Sequence, residues 1–185
     1  MSSRILLLVA ALFMNNVATA QEVNIQLASD TARFTYLTEA FGQNFGRLEL
    51  ETGFLYNENG NKLLNIGLLV RGESVSVPLI VSMGARAYYA DLGPSTVGAL
   101  AIGGDLLLSP EAWGGLGLGA FYFVAPEVVA FIDATDFREY GAYINFQITS
   151  QASIAGGFKH IEASIENAAD IEIDDGAYFS LNLSF

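Results

Sequence analysis

Few side chains in this 185-residue chain are of a type that does chemistry, and their spacing limits what that chemistry can be. There is one histidine, His160, and no cysteine. Ser164, His160 and Glu162 are the parts of a nucleophilic hydrolase, and on an extended backbone their even positions share one face. Lipid A deacylases that use such a set place His and Ser two residues apart, whereas here the gap is four. One His without Cys leaves no ordinary zinc site. The run Gly114–Gly119, GGLGLG, lacks both the G-x-G-x-x-G spacing with a following helix and any G-K-[ST], so it is no phosphate loop. Alternating glycines on a strand read instead as one face without bulk, leaving some local space. No catalytic residue, cofactor or metal ligand is expected.

A second acidic group, Glu166, Asp170, Glu172, Asp174 and Asp175, falls in one turn-rich stretch. Carboxylate oxygens suit Ca²⁺ or Mg²⁺. The D-x-[DN]-x-[DN]-G pattern is absent, and the expected state is a solvated outer loop.

The other polar groups share one feature: each stands opposite apolar residues at period 2. Leu48, Leu50, Phe54 and Tyr56 oppose Arg47, Glu49 and Glu51. Leu64, Ile66, Leu68 and Val70 oppose Asn65, Gly67 and Arg71. Leu79, Val81, Met83, Ala85 and Tyr89 oppose Ser82, Gly84 and Arg86. The same pattern sets Leu100, Ile102, Leu106 and Leu108 against Asp105, and Leu116, Leu118, Tyr122 and Val124 against Gly115, Gly117 and Gly119. Further on, Tyr140, Ile144, Phe146 and Ile148 face away from Glu139, Asn145 and Gln147. Period 2 is the signature of strands with a different solvent on each face. Residues 152–163 are least clean, with Lys159, His160 and Glu162 spread over both faces.

Composition says which solvents these are. Hydrophobic residues are 52 % of the chain and charged residues 15 %. No run reaches the ~18–20 apolar residues that a spanning helix needs. Apolar content spread by alternation is what a transmembrane barrel requires. The continuous apolar run, Ile5–Met14, follows Arg4 and precedes Ala18-Thr19-Ala20, which reads as a secretory signal cleaved after Ala20. Residues 21–185 then form one barrel domain. A net charge of −12 argues against nucleic acid, whose phosphates need clustered Lys and Arg. Zero cysteines fit a fold whose closed backbone bonding supplies the stability.

From Phe45 onwards these segments make eight strands. Counting back from the C-terminus, the outer loops would be 164–175, 125–137, 90–96 and 57–62, and the shorter inner turns 149–151, 109–113 and 72–76. Residues 22–40 also read as β-structure: Val23, Ile25 and Leu27 alternate with Asn24 and Gln26, and Arg33–Leu37 follow. A hairpin turning at Ser29–Thr31 gives ten strands, the favoured count; without it the barrel has eight. Tyr56, Tyr88, Tyr89, Trp113, Tyr122, Phe123, Tyr140 and Phe185 cluster towards strand ends, where interfacial girdles form.

The inward set would be Arg47, Glu49, Glu51, Asn65, Arg86, Asp105, Glu139, Asn145, Lys159 and Tyr178. A barrel of eight to ten strands is barely wide enough for its own side chains, so opposite charges there should pair. A salt-bridged, packed lumen is the expectation, with a narrow solute pore as the alternative and a lipid A-modifying hydrolase as the third reading. The closing stretch, GAYFSLNLSF, alternates to the last residue. Phe179, Leu181, Leu183 and Phe185 match the terminal strand by which bacterial barrels are recognised for assembly.

The strands REYGAYINFQI and AGGFKHIEA, an acidic loop and DGAYFSLNLSF resemble the YfaZ-like family of small outer-membrane proteins of Gram-negative bacteria. The resemblance covers most of residues 21–185 and is strongest over 137–185. It implies an all-β, transmembrane antiparallel up-and-down barrel in the bacterial outer membrane, and it transfers no functional residue. The expected partners are outer-membrane lipid, lipopolysaccharide and the barrel-assembly machinery, with the chain a monomer.

Overall fold

The computed structural model describes residues 21–43, 46–74, 77–93, 95–165 and 170–185. The expected leader, 1–20 with its cleavage after Ala20, and the loop residue Glu166 lie outside the described residues. Eleven strands follow in chain order: β1 Gln21–Ala28, β2 Thr31–Gln43, β3 Gly46–Asn57, β4 Lys62–Glu73, β5 Leu79–Asp91, β6 Thr96–Leu108, β7 Leu116–Ala125, β8 Ala130–Ile132, β9 Ala134–Thr149, β10 Ala152–Ile165 and β11 Ile171–Ser184. Ten of them close an antiparallel barrel in which each strand pairs with its neighbours in sequence.

Closure is made by β1 against β11, with Ile25 opposite Leu181. Gln21 and Phe185 exchange backbone hydrogen bonds of 3.1 and 3.0 Å. The hairpin at Ser29–Asp30 is formed, with Leu27 opposite Ala32, so the count is ten rather than eight. β8 was not legible as a strand. It pairs with Val97–Ala99 of β6, where β7 does not reach, since β7 covers only Ile102–Leu108. This patch completes the wall at the end of the barrel remote from the termini, called here the loop end.

The strands run further into the expected outer loops than the turn signals suggest. β10 continues to Ile165 and β11 begins at Ile171, which leaves 166–170 as the connection. The expected contrast of long outer loops and short inner turns is correspondingly weak: 109–115 at the terminus end is longer than 58–61 at the loop end. Asp174 is therefore not part of a solvated loop. Ile161 pairs with Asp174 but Glu162 pairs with Glu172, so Ile173 is an extra residue, and Asp174 points inward.

Outside and inside follow the alternation. Outward-pointing Ile66 and Ile102 are 60 % and 64 % exposed, the inverse of a water-soluble fold. Six of the expected girdle aromatics stand on the surface, but Tyr88 and Phe123 are 4 % and 0 % exposed and point into the barrel. Their parity explains it: Tyr88 shares the face of Ser82, Gly84 and Arg86. Around them the loop-end half of the lumen is filled by Leu55, Leu63, Val97, Phe137, Ile161 and Ala163, all buried in one apolar cluster. No helix among the described residues is long and apolar enough to cross a membrane. A closed barrel satisfies every backbone pair between strands and can present an apolar wall to lipid.

Candidate functional site

Below the apolar cluster, towards the termini, a belt of ions crosses the lumen. Its centre is Glu139 on β9. One carboxylate oxygen accepts from Arg33 of β2, and the other from the Tyr88 hydroxyl and, at 3.5 Å, from Arg86 of β5. Arg86 also donates to Glu51 of β3 at 2.7 Å, and Glu51 accepts from Asn65 Nδ2 at 2.6 Å. Asn65 Oδ1 returns the chain to Arg33 at 3.1 Å. The Arg86 guanidinium lies 3.8 Å from the centroid of the Phe123 ring, which caps it on the loop side. Five strands supply these groups, and β9 stands across the barrel from β2–β5. The belt is thus a strut between opposite walls.

Such an arrangement is what a narrow low-dielectric lumen demands. An isolated buried ion costs several kcal/mol, whereas here each carboxylate has cationic or hydrogen-bonding partners. Five of the expected inward residues meet in or beside this belt: Glu51, Asn65, Arg86 and Glu139 within it, and Glu49 one step nearer the termini. Arg33 was missed by the sequence reading, although it alternates with Phe34 and Tyr36 as an inward residue must.

Lys159 forms a separate buried pair with Asp174. Thr31 donates to the same carboxylate at 3.0 Å, and the ammonium group stands 5.6 Å from the Tyr178 ring. Arg47 keeps inward parity but sits at the terminus-end rim, paired with Glu73 at 2.6 Å in the open.

Between belt and termini lies a cavity of about 300 Å³. Asp105, Asn145, Tyr178, Glu49 and Arg71 are on its wall, and Glu22 and Ser184 mark its mouth beside the termini. Arg71 bridges Glu22 and Glu49, each at 3.6 Å. Asp105 accepts from the Tyr143 hydroxyl at 3.0 Å. The inward glycine face of β7 does not leave empty space as expected. A Cβ on Gly119 would stand 2.1 Å from the Tyr143 ring, so the glycine makes room for that tyrosine.

The hydrolase set is not assembled. His160 and Glu162 share the outer face near the loop end, with His160 Nε2 3.2 Å from Glu162 and Nδ1 2.9 Å from Asp175. Ser164 is four strand positions from His160, roughly 13 Å at the rise of a strand, far beyond a nucleophile–base hydrogen bond. His160, Glu172 and Asp175 do bring ligand atoms within 4.8 Å of one another. Both ring nitrogens are occupied by carboxylates, however, and Glu172 and Asp175 are exposed.

The lipid-facing exterior, the closed backbone and the ionic interior together make this a small barrel of the bacterial outer membrane. No curated protein matches the sequence. Among solved structures, the NanC porin is 10 % identical with a TM-score of 0.44, over 91 % of this chain and 99 % of that one. The Omp33 outer-membrane protein of Acinetobacter baumannii is 12 % identical with a TM-score of 0.33, over 90 % and 95 %. A bacterial polysaccharide outer-membrane secretin is 9 % identical with a TM-score of 0.47, over 92 % and 66 %. The model of the YfaZ precursor family matches residues 1–185, the whole sequence, and the chain belongs to that family.

Proposed function

We propose that this barrel is an envelope component closed to the passage of solutes, acting through its presence in the membrane and its outer surface rather than as a pore or enzyme. One observation supports the reading: two layers of buried side chains lie across the lumen in series. The ion belt spans it at mid-height, and the apolar cluster of Leu55, Phe123, Phe137 and Ile161, all 0 % exposed, fills the loop-end half. Hydrated ions do not cross a packed apolar plug, because nothing in it replaces their water.

In this reading the terminus end faces the periplasm and the loop end faces lipopolysaccharide. Residues 1–20 act as the secretory leader. Phe179, Leu181 and Leu183 lie on the lipid-facing side of β11 and Phe185 follows it in the same alternation, where an assembly factor would read them, and the barrel works as a monomer. Purified protein reconstituted into planar bilayers tests the central point. Insertion without discrete current steps is the expected result; reproducible steps that disappear when the protein is omitted would establish the narrow pore instead.

A further inference from the structure

Charge inside the cavity does not balance. Among the described lining residues, carboxylates outnumber guanidinium groups five to three. Arg33 and Arg86 are spent on Glu139 and Glu51, and Arg71 on Glu22 and Glu49. Asp105 makes no salt bridge among the described residues: Arg86 and Arg71 act on it only from beyond ion-pair distance, and the Tyr143 hydroxyl holds it through contacts of 3.0 and 3.3 Å. A carboxylate on the wall of a narrow lumen is relieved either by a proton or by a counter-ion, and one turned to a water-accessible cavity can take that ion from solution.

The surroundings of Asp105 say which kind. Its cross-strand neighbours are Ser82 on β5 and Phe121 on β7. Tyr143 stands over it, seated where Gly119 has no side chain and flanked by Gly157, whose Cβ would come within 2.7 Å of Tyr143 Cβ. One carboxylate, a hydroxyl and two rings do not make a divalent-metal cage, which needs six or more oxygens. A carboxylate beside aromatic faces is how proteins hold organic ammonium groups, through ion pairing and cation–π attraction together. At about 300 Å³ the space is at the lower end of ligand pockets and admits a small organic molecule.

We infer that the terminus-end cavity is a binding site for a small aliphatic ammonium compound, anchored by Asp105 and flanked by Phe121 and Tyr143. The ligand enters past Glu22 and Ser184, where Glu22 and Glu49 share the single Arg71 and leave one net negative charge to attract a cation. The inference is independent of whether the loop end conducts.

Isothermal titration of the full barrel in non-ionic micelles tests it, with 1,4-diaminobutane as the probe. 1,4-Butanediol serves as the uncharged control and magnesium chloride as the inorganic one. The expected result is saturable binding of the diamine alone, weakened at least about tenfold by Asp105→Asn and unchanged by Glu73→Gln, which alters a rim ion pair outside the cavity. Because Asp105→Asn removes an unpaired charge, it should fold as the parent does, and heat-dependent gel migration verifies this. Tyr143→Phe should weaken binding less than Asp105→Asn. Absence of diamine binding to the folded parent, equal binding by Asp105→Asn, or equal affinity for butanediol or magnesium would each overturn the proposal.

Discussion

Arg33 on β2 and Glu139 on β9 meet across the lumen, joined side chain to side chain from nearly opposite walls of the barrel. Their side chains are 5 % and 1 % exposed, so the pair is shielded from solvent screening. A buried pair of this kind contributes little over two apolar groups, but breaking it strands the survivor. Glu139→Ala leaves both Arg33 and Arg86 short of a partner, and it should cost about 3–5 kcal/mol. The double change Arg33→Met with Glu139→Leu should recover much of that loss. Urea unfolding of the refolded variants in micelles measures both.

Asp174 behaves in the same way at a second place. Buried beside Lys159 and Thr31, it is a structural ion, whereas its neighbour Asp175 is exposed and pairs with His160. Asp174→Ala should lower the unfolding midpoint clearly, by about 3 kcal/mol or more, since it leaves a buried ammonium group unpaired. Asp175→Ala should leave it within experimental error. Equal effects would mean that Asp174 is solvated after all.

The outer wall gives an independent expectation. Ile66, on β4 and facing outward in the middle of its strand, should be set in hydrocarbon. Ile66→Lys should destabilise the barrel by about 2–4 kcal/mol in lipid. Refolding into bilayers and comparing boiled with unboiled gel migration reports the folded fraction. A soluble sandwich would tolerate the lysine, because the position would face water.

Assembly should depend on the alternation of β11. Phe179, on its lipid-facing side, and Phe185, just past its end, are 52 % and 64 % exposed. Phe185→Ser should reduce the amount of folded barrel in outer-membrane fractions far more than Asp175→Asn does. Equal yields would mean that recognition lies elsewhere in the chain.

Period 2 made the ten barrel strands and most of the inward residues legible in the sequence, because parity is a local property. Leu64, Ile66, Leu68 and Val70 announce their face without reference to any partner. What failed was whatever depends on a third strand. Glu139 reads as inward, but that Arg33 answers it across the barrel follows only from closure. Asp174 reads as a loop acid, since the extra residue Ile173, which turns it inward, is visible only in the pairing with β10. Tyr88 and Phe123 read as girdle rings because they lie near strand ends, although their own parity already placed them inside. Where both parities are apolar, as at Phe54-Leu55-Tyr56 and Leu63-Leu64, the lumen stops being polar. That doubled signal was the sequence trace of the plug. β8 left no trace, being three residues paired with β6.

The chain has no cysteine, so a single introduced thiol can be followed without background. The most direct test of a lumen open at the termini and sealed at the loop end compares Asn182→Cys, on the cavity wall, with Ala163→Cys, in the apolar cluster. Each refolded barrel in lipid vesicles is exposed to a hydrophilic, membrane-impermeant maleimide. The expected result is labelling of Cys at position 182 and protection of Cys at 163 until the protein is unfolded. Labelling of both at similar rates would show water running through the lumen and would contradict the sealed barrel.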